Sequence, residues 1–394
     1  MRVQAPTQTL QDAPLGISAL PTLRTWMKKI MRVMFLQPQP CIRALKLARG
    51  LKSMPGKKVS IVFGYLHKRL SEYYGFGDEY FDQVIRLDRE DIEGSISRLV
   101  EEYDPHLIHS HNAPDFLTVS ALNAVDGTPV IHDVHDSLTM RTTGYYAGDD
   151  ETAIQGYAED EKTACVNSHG RIYVSEMLRG YLQRRYDLNS GFDLVFHNYV
   201  SKDVIPAKLE ERLSAEDGKT HIVYAGTITS KTDGHHYDLR GIFREMAKNQ
   251  LHIHIYAARE DEGYRLLGDE SPFIHYHGHL VQRELLRVLP RYDFGWAGFN
   301  DSRNSEHLDV VLPNKAYEYI ACGLPILTFP HRTLREFVQR RGLGSVVKDF
   351  GSGEWLEKAE GLRENVLRRR YDFTIEKNIS RLSEFYWEIT KLRV

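Results

Sequence analysis

Short apolar segments alternate with helical segments along most of this chain, and this alternation constrains its fold more than any other feature. From residue 32 onward, RVMFLQ (32–37), KVSIVFGY (58–65) and HLIHSH (106–111) have the length and the branched or aromatic side chains of buried strands. Stretches such as DREDIEGSISRLVEEY lie between them and have helical periodicity. The pattern predicts parallel strands covered by helices on both faces, which is the doubly wound α/β class.

The alternation occurs twice, so we predict two Rossmann-like domains that face each other across a cleft. The polar segment at 201–219 has no strand character, and the alternation starts again at HIVYAG (221–226). Ligands of such sheets bind outside the carboxyl ends of the strands. The predicted organisation is a poorly ordered N-terminal extension at 1–30, an N-terminal acceptor domain at 31–205, a linker at 206–219, a C-terminal nucleotide-sugar domain at 220–372, and a last helix at 373–394 that packs back on the N-terminal domain.

Cysteine usage and hydropathy indicate where such a chain works. Cys41, Cys165 and Cys322 are far apart and form no CxxC pair, which argues against a disulfide scaffold and favours the reducing cytoplasm. No apolar run reaches the ~18 to 20 residues that span a bilayer. The first 30 residues also lack the continuous apolar core of a secretory signal.

A strongly basic block lies near the start of the chain. From Ala13 to Ser71 there are twelve Lys and Arg residues and no acidic residue, although the formal net charge of the whole chain is −3. Within this block, PCIRALKLARGLK has a basic residue at every third position and an apolar opposite side, which predicts a basic amphipathic helix. Such a helix could lie on the anionic cytoplasmic face of a membrane or attract an anionic substrate. The alternative is a domain helix with a solvated basic face.

The stretch LPNKAYEYIACGLPIL (312–327) predicts a short helix, because Pro313 suits its first turn and Gly323 suits its end. Asn314, Lys315 and Glu318 lie on one side of its first turns. The helix N-terminus and the Lys315 charge would stabilise a phosphate, and Glu318 could accept hydrogen bonds from sugar hydroxyls. The alternative is a surface helix in which Lys315 and Glu318 form an ion pair worth a few tenths of a kcal/mol.

These motifs resemble GT-B glycosyltransferases, and specifically the large retaining group called family four. The C-terminal half resembles the nucleotide-binding half of that family through YAG, FIHYHGHL, ELLRVLPRYDFGWAGF and LPNKAYEYIACGLPIL, in order and spacing. The N-terminal half resembles it through PHLIHSHN, TPVIHDVHDS, RIYVSE and LVFHNYV. The resemblance covers nearly all of residues 31 to 390, and the Asn-Lys-x-x-Glu-Tyr helix is its most specific part. It implies a donor such as a UDP- or GDP-sugar held by the C-terminal half, an acceptor held by the N-terminal half, and no cofactor.

The resemblance also implies roles for individual residues of the helix. Glu318 matches the family glutamate that hydrogen-bonds the ribose of the donor. Asn314 and Lys315 match the positions where the family presents the helix start to the diphosphate. The turn would therefore hold a nucleotide diphosphate and its ribose.

In the N-terminal half, His135 matches a family histidine close to the transferred sugar and is the predicted catalytic residue. It would hydrogen-bond a sugar hydroxyl or stabilise charge at the anomeric carbon; we assign no protein nucleophile. The alternative is a histidine that is satisfied within a strand-end loop. Asp133 and Asp136 flank His135 and could orient its ring, while His111 and Asn112 end the preceding strand and could shape the acceptor side.

Two positions depart from the family pattern. The family often has a second glutamate eight residues before Glu318, but Val310 stands there, so the contacts to the sugar must come from other candidates: Glu306, His307 and Asp309. The Arg that commonly follows the glycine at the end of the first strand, Gly226 here, is replaced by Thr227. Gly226 and Thr227 remain on the predicted donor side. The residues that could replace this Arg are Lys231, His235, His236 and Arg240, and the alternative is a solvated loop.

The eighteen histidines form several close pairs, as in HSHN, HIHIY and HYHGH. Most of these pairs are at i and i+2, where two side chains share one face of a strand by periodicity alone. The clusters come from both halves and have no recognisable ligand spacing. We therefore predict no metal.

The predicted function is a glycosyltransferase that moves a sugar from a nucleotide-sugar donor to a glycan or lipid-linked acceptor, with retention of configuration. Synthesis of a cell-surface polysaccharide or glycolipid is the expected setting, and no nucleic acid is expected as a partner. One alternative keeps the fold and changes the chemistry, to a sugar-nucleotide epimerase or a phosphorylase. Another is a module that recognises a nucleotide or glycan without catalysis.

Overall fold

The computed structural model describes residues 30–141, 150–189, 191–357 and 359–392. The predicted extension at 1–30 therefore lies outside the described residues, except for Ile30. No helix in the described ranges combines the length and the apolar character needed to cross a bilayer. The chain forms two sheets, of seven and six strands, in which neighbouring strands are parallel.

The elements follow the predicted alternation. The strands of the first sheet are β1 (Met31–Gln37), β2 (Val59–Tyr65), β3 (Gln83–Arg86), β4 (Leu107–His111), β5 (Val130–Val134), β6 (Gly170–Tyr173) and β7 (Asp193–Val195). Those of the second sheet are β8 (His221–Gly226), β9 (His252–Ala257), β10 (Ile274–Gly278), β11 (Phe294–Trp296), β12 (Ile326–Thr328) and β13 (Gly344–Val346). The strand β13 was not predicted.

The helices are numbered in chain order. In the first half they are α1 (Ile42–Lys52), α2 (Leu70–Tyr74), α3 (Ile92–Tyr103), α4 (Phe116–Ala124), α5 (Glu151–Asn167) and α6 (Glu176–Tyr186). In the second half they are α7 (Ser214–Asp217), α8 (Arg240–Lys248), α9 (Glu262–Asp269), α10 (Gln282–Val288), α11 (Ser305–Val310), α12 (Asn314–Ala321), α13 (Arg332–Arg341), α14 (Ala359–Arg369) and α15 (Ile375–Thr390). Short 3₁₀ turns are Asp78–Tyr80, Leu138–Met140, Lys202–Val204, Leu289–Arg291 and Arg370–Phe373.

The two sheets share one strand order, which confirms the predicted α/β class with two doubly wound units. The orders are β3-β2-β1-β4-β5-β6-β7 and β10-β9-β8-β11-β12-β13. Alternate residues of β1 enter different cores: Phe35 packs in the core that extends into the second half, and Met34 packs in the core beneath α3 and α4. Both faces are therefore buried, as doubly wound sheets require. The order reverses between β1 and β4 and between β8 and β11, so the carboxyl ends of these strands form the crevice where a ligand binds.

The predicted basic helix α1 exists, but two of its four basic side chains, Arg43 and Lys46, are buried within the protein. Arg43 and Lys46 are only 2% and 6% exposed, so they face neither solvent nor lipid. Arg49 and Lys52 pair with Asp203 and with another carboxylate of the same domain, each at 2.6 Å. The regular spacing places the four charges on one side of the helix, where Arg43 and Lys46 are buried and Arg49 and Lys52 are 27% and 28% exposed.

The last helix, α15, returns to the first half of the chain. Backbone hydrogen bonds join Val200 N–H to Phe373 C=O at 3.2 Å and Ile375 N–H to Val200 C=O at 2.7 Å. Farther along α15, the Tyr386 hydroxyl contacts His109 in β4. This helix therefore completes the core of the N-terminal domain.

Helix α12 is held against the second sheet by Tyr319. The Tyr319 hydroxyl accepts a hydrogen bond from Ala225 N–H at 2.9 Å and donates one to the Trp296 carbonyl at 3.2 Å. Its ring lies over Gly295, where a Cβ atom would come within 2.3 Å of the ring. The close approach of α12 to β8 and β11 therefore requires glycine at position 295.

We predict that Gly295→Ala lowers the free energy of unfolding by about 1–3 kcal/mol, because the methyl group must displace a fully buried ring. Gly241→Ala is the matched control, since nothing lies within 4 Å of a Cβ atom at that helical position. The control should be neutral or slightly stabilising. Urea unfolding followed by circular dichroism measures both. Equal stability of the two variants would show that the ring and the strand are not packed this closely.

Candidate functional site

The candidate site lies where the carboxyl ends of β1, β4, β5 and β8 meet. The first half contributes the start of α1 and the ends of β4 and β5, and the second half contributes the end of β8 and the start of α12. Hydrogen bonds cross between the halves at this point. Lys46 Nζ donates to Asn314 Oδ1 at 3.2 Å, and Ser175 Oγ donates to the Val310 carbonyl at 2.8 Å. The start of α12 is thus fixed against both halves.

Lys315 and Gly226, which were predicted to act together, do lie together. A Cβ atom at Gly226 would be 3.5 Å from Lys315 Nζ, so glycine leaves the space beside the ammonium group open. Lys315 is 8% exposed, and its Nζ lies 3.9 Å from the ring centroid of Tyr224 and makes no hydrogen bond with the described residues. Burial lowers the pKa of Lys315 to about 7, although Glu318 opposes the shift. An anion in this space would supply the missing partner.

Glu318 lies one turn deeper in α12 and is partly exposed. Its Oε1 accepts a hydrogen bond from Gln282 Nε2 at 2.9 Å, so the first residue of α10 orients the carboxylate. Asn314 is directed elsewhere, because its side-chain oxygen already accepts from Lys46. The structure therefore places Lys315 and Glu318 on the cleft and gives Asn314 a contact between the halves.

The candidates for the missing phosphate-binding Arg are not equivalent. Thr227 and Lys231 are exposed in the loop after β8. Arg240 Nε donates to Asp238 Oδ1 at 2.8 Å and forms a second ion pair, which occupies its guanidinium. His236 is 4% exposed, and burial, with charges that include His235 and Arg141, lowers its pKa to about 2. A neutral imidazole cannot neutralise a phosphate, so the main cation on the donor side is Lys315.

A buried cluster around Asp133 forms the other side of the site. Asp133 is fully buried, and its Oδ2 accepts hydrogen bonds from Arg43 Nε at 2.8 Å and His109 Nε2 at 3.0 Å. The same oxygen is 3.4 Å from His111 Nδ1 and 3.6 Å from His135 Nε2. Burial alone would raise the pKa of Asp133, but the Arg43 and His135 charges and the hydrogen bonds hold it well below its usual range. Asp133 therefore acts as a permanent anion.

His135 lies between this anion and a thiol. Its Nδ1 is 3.7 Å from Cys41 Sγ, at the N-terminal cap of α1. Burial opposes protonation, but Cys41 and Asp133 raise the pKa of His135 to about 9. In return, although burial raises the pKa of the Cys41 thiol, His135 and the Arg43 backbone N–H lower it below its ordinary value overall. His135 and Cys41 therefore each stabilise the charged form of the other.

Asn112 and Asp136 hold the loop that carries His135. Asn112 Oδ1 accepts from the His135 backbone N–H at 2.7 Å, and Asn112 Nδ2 donates to the Asp136 carbonyl at 2.7 Å. The Asp136 carboxylate is directed away from His135, and its Oδ1 lies 3.8 Å from His307 Nε2 in the second half. His307 is buried, so this contact closes the cleft beyond His135.

The other sugar-side candidates have different places. Glu306 is exposed. Asp309 Oδ1 accepts from Arg332 N–H at 2.8 Å and so caps the start of α13. Val310, which replaces the second glutamate, packs with Val134 and other apolar residues of the first half. Of the three candidates, only His307 faces the opposite half of the cleft.

One group near the site has the composition of a metal site. Atoms of His109, His111 and Asp133 lie within 4.8 Å of one another. However, Arg43 already places a positive charge on Asp133 Oδ2, and Tyr386 contacts His109 Nδ1. Protein groups therefore already use Asp133 Oδ2 and His109, whereas the ring nitrogens of His111 and Asp133 Oδ1 have no hydrogen-bond partner among the described residues.

Several residues of the site were not predicted from the sequence as site residues: Cys41, Arg43, Lys46, Arg141 and Gln282. Cys41, Arg43 and Lys46 follow the first strand of the doubly wound unit, which is the topological switch point, and that position was the available signal. Arg141 and Gln282 have no comparable signal: Arg141 acts on His236 across the two halves, and Gln282 reaches Glu318 through the packing of α10 against α12.

Comparisons with known proteins agree with this architecture. A family described as "Glycosyltransferase Family 4" matches residues 83–200, and one described as "Glucosyltransferase 3-like, C-terminal domain" matches residues 234–372. A comparison with curated proteins gives no significant match.

Solved structures share the fold over nearly the whole chain. Sucrose-phosphate synthase from Thermosynechococcus elongatus is 14% identical with a TM-score of 0.65, covering 92% of this chain and 99% of that one. Anabaena HepE with UDP and glucose is 11% identical with a TM-score of 0.65, covering 91% and 100%. S. aureus MnaA with UDP is 11% identical with a TM-score of 0.56, covering 91% and 97%. The chain is a GT-B glycosyltransferase similar to family four, as its motifs predicted.

We predict that iodoacetamide labels Cys41 before Cys165 and Cys322, because only Cys41 is partly exposed and has a lowered thiol pKa. His135→Asn should shift the midpoint of the rate–pH curve for Cys41 to higher pH, since the imidazolium is lost. Peptide mapping by mass spectrometry measures each thiol separately. The two buried cysteines are the internal control. An unshifted midpoint would show that His135 does not lower the pKa of the Cys41 thiol.

Proposed function

We propose that the enzyme transfers a sugar from a nucleoside diphosphate sugar, held between α12 and the end of β8, to a glycan or lipid-linked acceptor on the first half. The observation that carries the proposal is the buried ammonium of Lys315, which lies beside Gly226 without a hydrogen-bond partner among the described residues. The start of α12 adds its N–H groups and positive dipole end. Glu318, oriented by Gln282, lies where ribose hydroxyls would be bound. HepE and MnaA, which share the fold, were solved with UDP, and this supports a nucleotide as the ligand.

The chemistry needs charge stabilisation at both ends of the breaking bond. As the sugar leaves the diphosphate, negative charge grows on the phosphate and positive charge grows at the anomeric carbon. In the proposal, Lys315 and the α12 N-terminus stabilise the phosphate, so no metal cofactor is required. His135 donates a hydrogen bond to a sugar hydroxyl, and Asp133 stabilises charge on the opposite side. Retention of configuration is part of the proposal, and no residue is assigned as a nucleophile.

Polysaccharide or glycolipid synthesis in the cytoplasm is the proposed setting, and the three free cysteines are compatible with it. Binding to an anionic membrane through α1 is not part of the proposal. Arg43 and Lys46 are buried, and Arg49 and Lys52 are paired with carboxylates of the protein. Arg43 and Lys46 are instead directed into the protein, toward Asp133 and Asn314.

We expect Glu318→Gln to weaken nucleoside diphosphate binding roughly 10- to 100-fold, because charge-assisted hydrogen bonds to the ribose are lost. Glu284→Gln, at an exposed position of α10, is the matched control and should bind normally. Calorimetric titration gives the affinities, and product analysis with a panel of nucleotide sugars and a membrane extract identifies donor and acceptor. Transfer should persist in EDTA. Normal affinity in folded Glu318→Gln protein would show that the donor does not bind at α12.

Lys315 gives a second test through proton uptake. Because its pKa is about 7 when no anion is bound, most of the ammonium is deprotonated at pH 8, and a bound diphosphate should restore the proton. We expect uptake of close to one proton per nucleotide at pH 8, little uptake at pH 6, and weaker binding as the pH rises above 7. Calorimetry in buffers of different ionisation enthalpy measures this uptake. Lys315→Met should abolish it and Lys231→Met should not; uptake that survives in Lys315→Met would contradict the assignment.

A further inference from the structure

Five histidines form a continuous group on one face of the second sheet, away from the donor side: His221, His252, His254, His275 and His277. His221 and His252 are the first residues of β8 and β9 and are partners in the strand register. His254 and His275 are partners across β9 and β10. Because the side chains at i and i+2 share a face, the remaining member lies on the same side.

The rings are stacked and hydrogen-bonded in fixed orientations. The His221 and His252 rings have centroids 4.5 Å apart and planes 11° apart. His221 Nδ1 lies 2.9 Å from His254 Nε2, and His252 Nδ1 lies 2.8 Å from His275 Nε2. When the rings are neutral, each of these two contacts is a hydrogen bond in which one of the two ring nitrogens carries the proton. If that proton is on Nδ1 of His221 and of His252, each Nε2 has a free lone pair.

Both of these Nε2 atoms are directed at the same carboxylate. Asp217, the last residue of α7, places both carboxylate oxygens 3.2 Å from His221 Nε2 and one of them 3.9 Å from His252 Nε2. One atom from each of the three residues lies within 4.8 Å of the other two. Three ligand-type atoms from three different elements therefore converge on one point.

We propose that Asp217, His221 and His252 bind a first-row divalent metal ion, with Zn²⁺ as the best match to two imidazoles and one carboxylate. Zinc bonds of about 2.0–2.1 Å place tetrahedral ligand atoms roughly 3.3 Å apart. The Asp217–His221 separation already meets this requirement. His252 Nε2, now 3.9 Å from the Asp217 carboxylate, must move toward it by less than about 1 Å. The two stacked rings must also tilt toward each other, so that both lone pairs point at the ion.

The surroundings suit such an ion. Zinc-bound histidines usually donate their second ring N–H to a carboxylate, a backbone carbonyl or water. Here Nε2 of His254 and of His275 would be the acceptors. Asp217 is 42% exposed, so water can occupy the fourth position. The second group of possible ligands, around Asp133, differs because a buried guanidinium already balances its charge.

Such an ion would join the end of the segment between the halves to the first two strands of the second sheet. It would lie at the start of β8, about 16 Å along the strand from Gly226. The ion would therefore stabilise the domain without contacting the donor, and this inference does not depend on the proposed function.

The test uses the full chain, stripped of metal with EDTA and dialysed. Zn²⁺ should bind with one-to-one stoichiometry in calorimetry and raise the melting temperature, whereas Mg²⁺ should do neither. Co²⁺ should give the visible absorption of a four-coordinate site. The affinity for the nucleoside diphosphate should be the same with and without Zn²⁺, so failure here is distinguishable from failure of the donor assignment.

Single substitutions test whether the ion binds at these three residues. Asp217→Asn and His252→Asn should weaken Zn²⁺ binding at least about 10-fold, and His275→Ala should weaken it roughly 10- to 100-fold through loss of the supporting contact. His67→Ala, in the first half, is the control and should bind normally. Circular dichroism and nucleotide binding confirm that each variant is folded. The proposal is overturned if folded wild-type protein does not bind Zn²⁺, or if Asp217→Asn and His252→Asn bind it unchanged.

Discussion

The buried ion pair between Arg43 and Asp133 is the interaction on which the site depends. Arg43 Nε donates to Asp133 Oδ2 at 2.8 Å, and its Nη1 donates to Asn198 Oδ1 at 3.0 Å. Asn198 Nδ2 in turn donates to the Leu312 carbonyl, just before α12, at 3.4 Å. One guanidinium therefore connects the anion beside His135 to the segment that presents Lys315. Removing either charge would deprive the other of its direct ionic partner in a buried site, which is far more costly than losing a surface pair.

This arrangement separates two electrostatic environments across a narrow cleft. On the donor side, burial against aromatic rings lowers the pKa of Lys315 to about 7. On the opposite side, an aspartate is kept ionised, and it keeps His135 protonated. A bound diphosphate would give Lys315 the hydrogen-bond partner that its Nζ lacks among the described residues. Asp133 differs, because Arg43 and His135 already balance its charge.

The fold was predictable from the sequence because it depends on local patterns. Apolar runs of strand length, separated by helices, identified twelve of the thirteen strands, and Pro313 and Gly323 bracketed α12 to within a residue or two. The contact between Gly226 and Lys315 was also predictable, since both belong to one doubly wound unit whose switch point is fixed by topology.

The remaining features depend on how the two halves are placed. Spacing put Arg43 and Lys46 on one side of α1, but spacing cannot show what covers that side. Asn314 was assigned to the donor and contacts Lys46 instead, and Asp309 was assigned to the sugar and caps α13 instead. In both cases the hydrogen-bond donor, the Lys46 side chain or the Arg332 backbone N–H, lies 23 or more positions away in the chain. Such pairings are set by tertiary packing and leave no periodic signal.

The return of α15 to the first half has a consequence for how the protein is made. The N-terminal domain is synthesised first, yet one side of its core is covered by a helix that leaves the ribosome only after the entire second domain. Until then Gly50, which packs against Ile375 and Ile379, and His109, which contacts Tyr386, face water. The Asp133 cluster therefore reaches its final geometry only when the chain is complete, so a nascent or shortened chain would carry the donor helix without a finished partner surface.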